Sequence, residues 1–214
     1  MSEEKGLFFA FITALVSGAS VFINSFAVSG FEPFPFPLLK NASVAVFLLS
    51  SLFLLREVRE LRSLGWNEWK KLIVIGILGG SIPFLMFFWG LSLVGGVKGS
   101  AIYRLLFVFS AVLAFVFLKE KISRNYALGA VIVLAGNALL VKEIASFGLG
   151  EALILGATVL WSFEVLFLKQ ALKTIKPRVV AFGRMLFGSL AMFAVLSFFG
   201  KTQGFSVLAS PVHI

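Results

Sequence analysis

The sequence predicts an all-α protein, a polytopic transmembrane helix bundle, and three observations predict it. The chain of 214 residues is 59% hydrophobic and only 14% charged, with a mean hydropathy of +1.02. A water-soluble domain of that length has too little interior to hide so much apolar surface. The apolar residues come in runs near 20, the length of a membrane-crossing helix, and not in the roughly 10-residue alternating runs of a barrel strand. Basic residues gather in the short connections between the runs, where they set the orientation of a membrane protein.

Composition also narrows the chemistry. There is no Cys and no Asp, and the single His, His213, stands one residue from the end. Thiol nucleophiles, disulfides, zinc clusters and the usual general bases are missing, so neither enzyme activity nor a metal or cofactor is expected. A net charge of +9 would point to nucleic acid in a soluble protein. Here the positive residues flank apolar runs, so the expected partner is the lipid bilayer and not nucleic acid.

Seven spans follow in order. The first covers about 7–28. It is preceded by MSEEK, whose charge has the wrong sign for a signal peptide, and its apolar run from Gly6 to Phe31 is too long for one, so it is expected to be retained. The second, about 34–55, and the seventh, about 179–199, start after Pro33 and Pro177, which suit the first turn of a helix. The third, about 72–94, carries Gly79-Gly80 and then Pro83, a combination that predicts a kink or break. Its Gly76 and Gly80 form a GxxxG pair suited to close helix packing. Trp66 and Trp69, in the connection before it, read as interfacial anchors. The fourth, fifth and sixth spans cover about 99–118, 125–142 and 150–169.

With the N-terminus in the cytoplasm, inside segments hold thirteen Lys and Arg: Lys5, five from Arg56 to Lys71, three from Lys119 to Arg124, and four from Lys169 to Arg178. Outside segments hold three, Lys98, Lys142 and Lys201. That bias predicts a multi-pass protein of the cell membrane with a cytoplasmic N-terminus.

Three cations fall within spans, Lys40, Arg104 and Arg184, and one acid, Glu164, lies deep in the sixth. A charge at mid-bilayer costs on the order of 3 kcal/mol on insertion scales. Glu164 and Arg184 fall at similar depth and are expected to pair, either as a static clamp between helices or as a gate that senses protons. Lys40 and Arg104 lie roughly 8–9 Å below the outer boundary at 1.5 Å per residue, with no acid at their level. Two readings stand for them: snorkelling to the interface, or a pocket for an anion or the carboxylate of an amino acid. Tyr103, Asn24 and Asn41 are the neutral hydrogen-bonding groups nearby. Trp89 and Trp161 lie inside spans, where packing and cavity-lining are the alternatives.

An internal repeat organises these residues. Pro33, Lys40 and Gly6 each recur 144 positions later, as Pro177, Arg184 and Gly150. Residues 1–145 then form one unit of five spans and 146–214 the start of a second, which enters from the opposite side because five is odd. Inverted repeats of this kind build many secondary transporters.

The stretch SAVLAFVFLKEKISRNYALGAVIVLAGNALLV resembles the fourth and fifth helices of the EamA-like family of the drug/metabolite transporter superfamily. Leu118-Lys119-Glu120-Lys121 fills the place of that family's Leu-Gly-Glu-Arg, and Gly129 to Leu140 its glycine-spaced helix. GEALILGATVLWSFEVLFLKQAL is similar to the opening helix of its second repeat, and Lys40 and Arg184 fall where members often carry a basic residue. The resemblance implies ten helices in two inverted halves. It also implies a transporter that exports small metabolites, such as amino acids or organic anions, by alternating access. Lys40, Asn24, Tyr103, Arg104 and Trp161 are the candidate substrate-binding residues, and Glu164 and Arg184 the candidate gate or ion pair. The chain departs from the pattern in having Phe107 near the usual proline of the fourth helix. The offset also puts the third helix of the second repeat near residue 216, past Ile214. The alternative expectation is thus a truncated, non-transporting membrane protein that needs an oligomer or a completing chain.

Overall fold

The computed structural model describes residues 3–30, 33–140 and 147–200. Lys142, Lys201 and His213, and the end of the fifth expected span, lie outside the described residues. Among the described residues there are ten helices and no strand: α1 (Glu3–Gly30), α2 (Pro35–Leu54), α3 (Val58–Ser63), α4 (Trp66–Gly80), α5 (Ile82–Val94), α6 (Gly96–Tyr103), α7 (Leu106–Leu118), α8 (Arg124–Leu140), α9 (Leu149–Ala171) and α10 (Pro177–Phe198). With α4–α5 and α6–α7 each counted as one broken span, six are long and apolar enough to cross a membrane. The protein is a polytopic helix bundle, as composition predicts. The fifth expected span is α8, apolar but shorter than those six.

The third span is longer than its hydropathy indicates, because the helix starts at Trp66 and not at residue 72. Gly65 gives the entry, and the Glu68 carboxylate accepts the Gly65 amide hydrogen. The two tryptophans expected as loop anchors therefore sit on α4. Trp66 is exposed, with the Lys70 ammonium 5.5 Å from its ring centre. Trp69 is half-buried and packs edge-on to Phe187 at 6.0 Å.

The expected break falls at Ser81, between α4 and α5, whose φ of −128° and ψ of −83° are not helical. A second break, at Arg104-Leu105, has no Pro or Gly to announce it. There the turn tightens, with the Leu105 amide reaching the Ile102 carbonyl at 3.0 Å.

Two helix crossings hold the centre together. On α4, Gly76 and Gly80 of the GxxxG pair meet Phe187 and Gly188 of α10 so closely that no Cβ would fit. On α5, Gly90 lies against Gly150 and Ile154 of α9 in the same way. Apolar cores fill in around these contacts. One is built on Phe88, Leu91 and Ile154, and another on Leu52, Leu72, Ile75 and Val179. At one end of the bundle, ion pairs join three connections: Glu60 to Lys176 at 2.8 Å, Glu57 to Arg178 at 3.1 Å and Glu120 to Lys169 at 2.6 Å. Near the start of α9, Lys98 pairs with Glu151, which is buried to 6% exposure.

Candidate substrate cavity

The central polar site grows out of one missing hydrogen bond. Proline has no amide hydrogen, so Pro83 cannot donate to the carbonyl four residues back, at Gly79. In hydrocarbon an unsatisfied carbonyl costs several kcal/mol, so neighbouring helices must supply donors. They do. The Trp161 indole N–H of α9 reaches the Gly79 oxygen at 2.8 Å, and the Arg184 guanidinium of α10 reaches it at 3.1 Å. The next carbonyl, Gly80, accepts from the Asn41 amide of α2 at 2.9 Å.

Arg184 is shared with Glu164. Its Nε donates to one carboxylate oxygen and its Nη2 to the other, the latter at 2.9 Å. This two-pronged geometry is the strongest form of charged hydrogen bond. Glu164 is buried to 2% exposure, and its carboxyl sits where a side chain on Gly79 would be. The residue at position 79 has to be glycine for acid, base and freed carbonyl to meet.

A cavity of about 590 Å³ opens beside this cluster. Lys40, Asn24, Tyr103, Trp161, Glu164 and Arg184 all line it, which is six of the seven candidate substrate-binding and gate residues; Trp89, the other span tryptophan, does not line it. The Lys40 ammonium donates to the Asn24 side-chain oxygen at 3.3 Å and lies 5.4 Å from the centre of the Phe88 ring. The Asn24 amide in turn donates to the Ser20 hydroxyl at 3.2 Å.

Arg104 is the exception. It is exposed, at the break between α6 and α7, and does not line the cavity. Of the two readings offered for Arg104, the shared pocket with Lys40 is therefore not the one seen, and Arg104 is corrected as a substrate-binding candidate in this cavity. Successive helical residues turn by about 100°, and Tyr103 takes the inward position. Asn41 is likewise no cavity group; it is 1% exposed and spent on the Gly80 carbonyl.

Sequence reasoning missed three wall residues, Phe84, Phe87 and Phe88 of α5. With Tyr103 and Trp161 they form a connected set of rings, with neighbouring centres 5.3 to 6.2 Å apart. Nothing in the near-uniform apolar run FLMFFW marks which face looks inward.

The offset of 144 reappears in the cavity wall. Five lining residues from the first part of the chain stand 144 positions ahead of five from the second, among them Ser17 with Trp161, Ser20 with Glu164 and Lys40 with Arg184.

No solved structure matches the chain. An uncharacterized transporter of Archaeoglobus fulgidus is 24% identical over 131 residues, which is 61% of this chain and 48% of the relative. The chain thus matches about half the length of that relative. The model of the EamA-like transporter family matches residues 4–142 and 148–211, nearly the whole length, and the chain belongs to that family.

Proposed function

We propose that the protein is a secondary transporter that exports a small metabolite, an amino acid or organic anion, by alternating access. The carrying observation is the convergence of Lys40, Asn24, Trp161, Glu164 and Arg184 on one central cavity. The five pairs of lining residues at one offset support the reading of 1–145 and 146–214 as oppositely oriented units that meet at a shared site. A cytoplasmic N-terminus and a cell-membrane location draw on the excess of Lys and Arg in alternate connections. Three of those connections are tied by ion pairs at one end of the bundle. In this reading the substrate meets Lys40 and the aromatic wall. The Glu164–Arg184 pair and its hold on the Gly79 carbonyl close one side of the path.

Flux in proteoliposomes against a panel of amino acids and organic anions tests the reading, with Glu164→Gln beside the wild type. A gate that senses protons loses the pH dependence of flux in the variant. A static clamp loses only stability. A chain that moves nothing on the panel, in either direction, contradicts the proposal.

A second reading, that another chain completes the bundle, draws on the apolar faces of α1 and α8, where Phe8, Phe11, Leu128 and Ile132 are exposed. Cross-linking from Phe11→Cys and Ile132→Cys in native membranes separates the two. Protein–protein adducts favour assembly, and lipid-only labelling favours the chain acting alone.

A further inference from the structure

We infer that the cavity selects an aromatic monocarboxylate without an amino group, a flat ring carrying one negative charge, over amino acids and over aliphatic acids. The inference rests on the reading of the cavity as the substrate site and narrows the substrate class within it.

Charge comes first. Among the described residues, three charged side chains line the cavity: Lys40, Arg184 and Glu164. Arg184 and Glu164 neutralise each other through two hydrogen bonds, so Lys40 is left as an uncompensated cation. None of the described carboxylates pairs with it. An ammonium has three donors, and the one bond seen, to Asn24, is long at 3.3 Å. Lys40 therefore has donors to spare for a carboxylate, as does the Asn24 amide, which spends one hydrogen on Ser20. A cationic ligand would meet net positive charge here.

The same count argues against an amino acid. A bound ammonium needs acceptors, preferably a carboxylate. The Glu164 oxygens both accept from Arg184, and the Gly79 carbonyl already accepts from Arg184 and Trp161. The Asn24 oxygen accepts from Lys40. Neutral hydroxyls of Thr13, Ser17, Ser20 and Tyr103 line the cavity, but an amino acid would bury its ammonium beside the Lys40 cation, with the cavity's one carboxylate, Glu164, already neutralised by Arg184.

The ring follows from the wall. Phe84, Phe87, Phe88, Tyr103 and Trp161 pack mostly edge to face, and the Lys40 ammonium lies over the Phe88 ring. A flat aromatic ligand can extend this set with the edge-to-face geometry that rings prefer, beyond what its area alone would gain. A saturated ring of equal size cannot. The cavity volume of about 590 Å³ suits one small organic molecule.

The test is equilibrium binding to the purified full chain, with radiolabelled 3-phenylpropionate as probe. Phenylalanine, cyclohexanepropionate and 2-phenylethylamine serve as competitors. We expect 3-phenylpropionate to bind, and the three competitors to be at least about tenfold weaker, the loss carried by one charged hydrogen bond or one stacking contact. Lys40→Gln should weaken the probe by at least about tenfold, while Lys40→Arg, which keeps the charge, stays within about threefold. Trp161→Leu should also weaken it. Equal or tighter binding of phenylalanine or cyclohexanepropionate overturns the selectivity while leaving the cavity as the site. Absence of binding by all four compounds, or binding untouched by Lys40→Gln and Trp161→Leu alike in folded protein, overturns the site reading and the inference together.

Discussion

Pro83 and Arg184 are linked through a single oxygen: the carbonyl of Gly79 that the proline leaves without its helical donor is the one the guanidinium reaches, at 3.1 Å. A helix break on one span and a charged pair between two others are parts of one structure. The break supplies an acceptor for Arg184 beyond the Glu164 carboxylate. The arginine supplies, together with Trp161, the donors that make the break tolerable in hydrocarbon.

Pro83→Ala should separate the two partners. An alanine amide can bond the Gly79 carbonyl and join α4 to α5, which removes the helix penalty of proline, up to about 3 kcal/mol in a helix interior. The variant is expected to melt at the same or a higher temperature in detergent. If the break is the moving part of the transport cycle, flux falls by about tenfold or more, near 1.4 kcal/mol of barrier. Thermal melting and proteoliposome flux, measured together, check this.

The Glu164–Arg184 pair gives a double-mutant prediction. Removing one partner strands a buried charge, at a cost of about 3–5 kcal/mol, whereas apolar replacement of both is often nearly neutral. Glu164→Leu alone should therefore destabilise strongly, and Glu164→Leu with Arg184→Met should recover much of the loss. Recovery stays incomplete because the Gly79 carbonyl keeps only its bond to Trp161. Chemical denaturation of the four proteins in one detergent reads the coupling directly.

Glycines differ sharply in what they tolerate. A Cβ on Gly188 would fall 2.6 Å from the Gly80 Cα, backbone that cannot swing aside. Gly188→Ala should force α4 and α10 apart and cost about 2 kcal/mol or more. Around Gly129 and Gly136 of α8 nothing lies within 4 Å. Alanine there should be neutral or stabilising by up to about 1 kcal/mol. Melting temperatures of the three single variants decide it.

Lys176, in the connection between α9 and α10, has its pKa raised by its bond to the Glu60 carboxylate. A lysine raised in the folded state contributes stability below its unfolded pKa and loses it as pH climbs through the folded value. The wild type should therefore lose melting temperature faster than Lys176→Gln between about pH 10 and 12, and the two should converge in high salt. Parallel melts across that range check the sign.

Much of this was legible beforehand because hydrocarbon leaves few choices. Apolar runs of fixed length announce spans, and Pro83 behind two glycines announces a broken one. Glu164 and Arg184 are legible as partners because so few charges lie deep in the spans. The break at Arg104-Leu105 was not legible, since no residue type there forbids a helix. Arg104 itself misleads because hydropathy does not show which residue of the span faces inward: Tyr103 lines the cavity and its neighbour, about 100° further round, is exposed. The aromatic wall escaped because α5 is apolar on every side, so no periodicity distinguishes a ring that faces the cavity from one that faces lipid.

The junction at Gly79 also joins distant parts of the chain. Its donors lie 82 and 105 positions further along the chain. The Gly79 carbonyl of the broken third span is therefore satisfied by side chains of the sixth and seventh spans, which follow it in the chain. A chain ending before Trp161 would lack both of the donors that the Gly79 oxygen has in the folded protein.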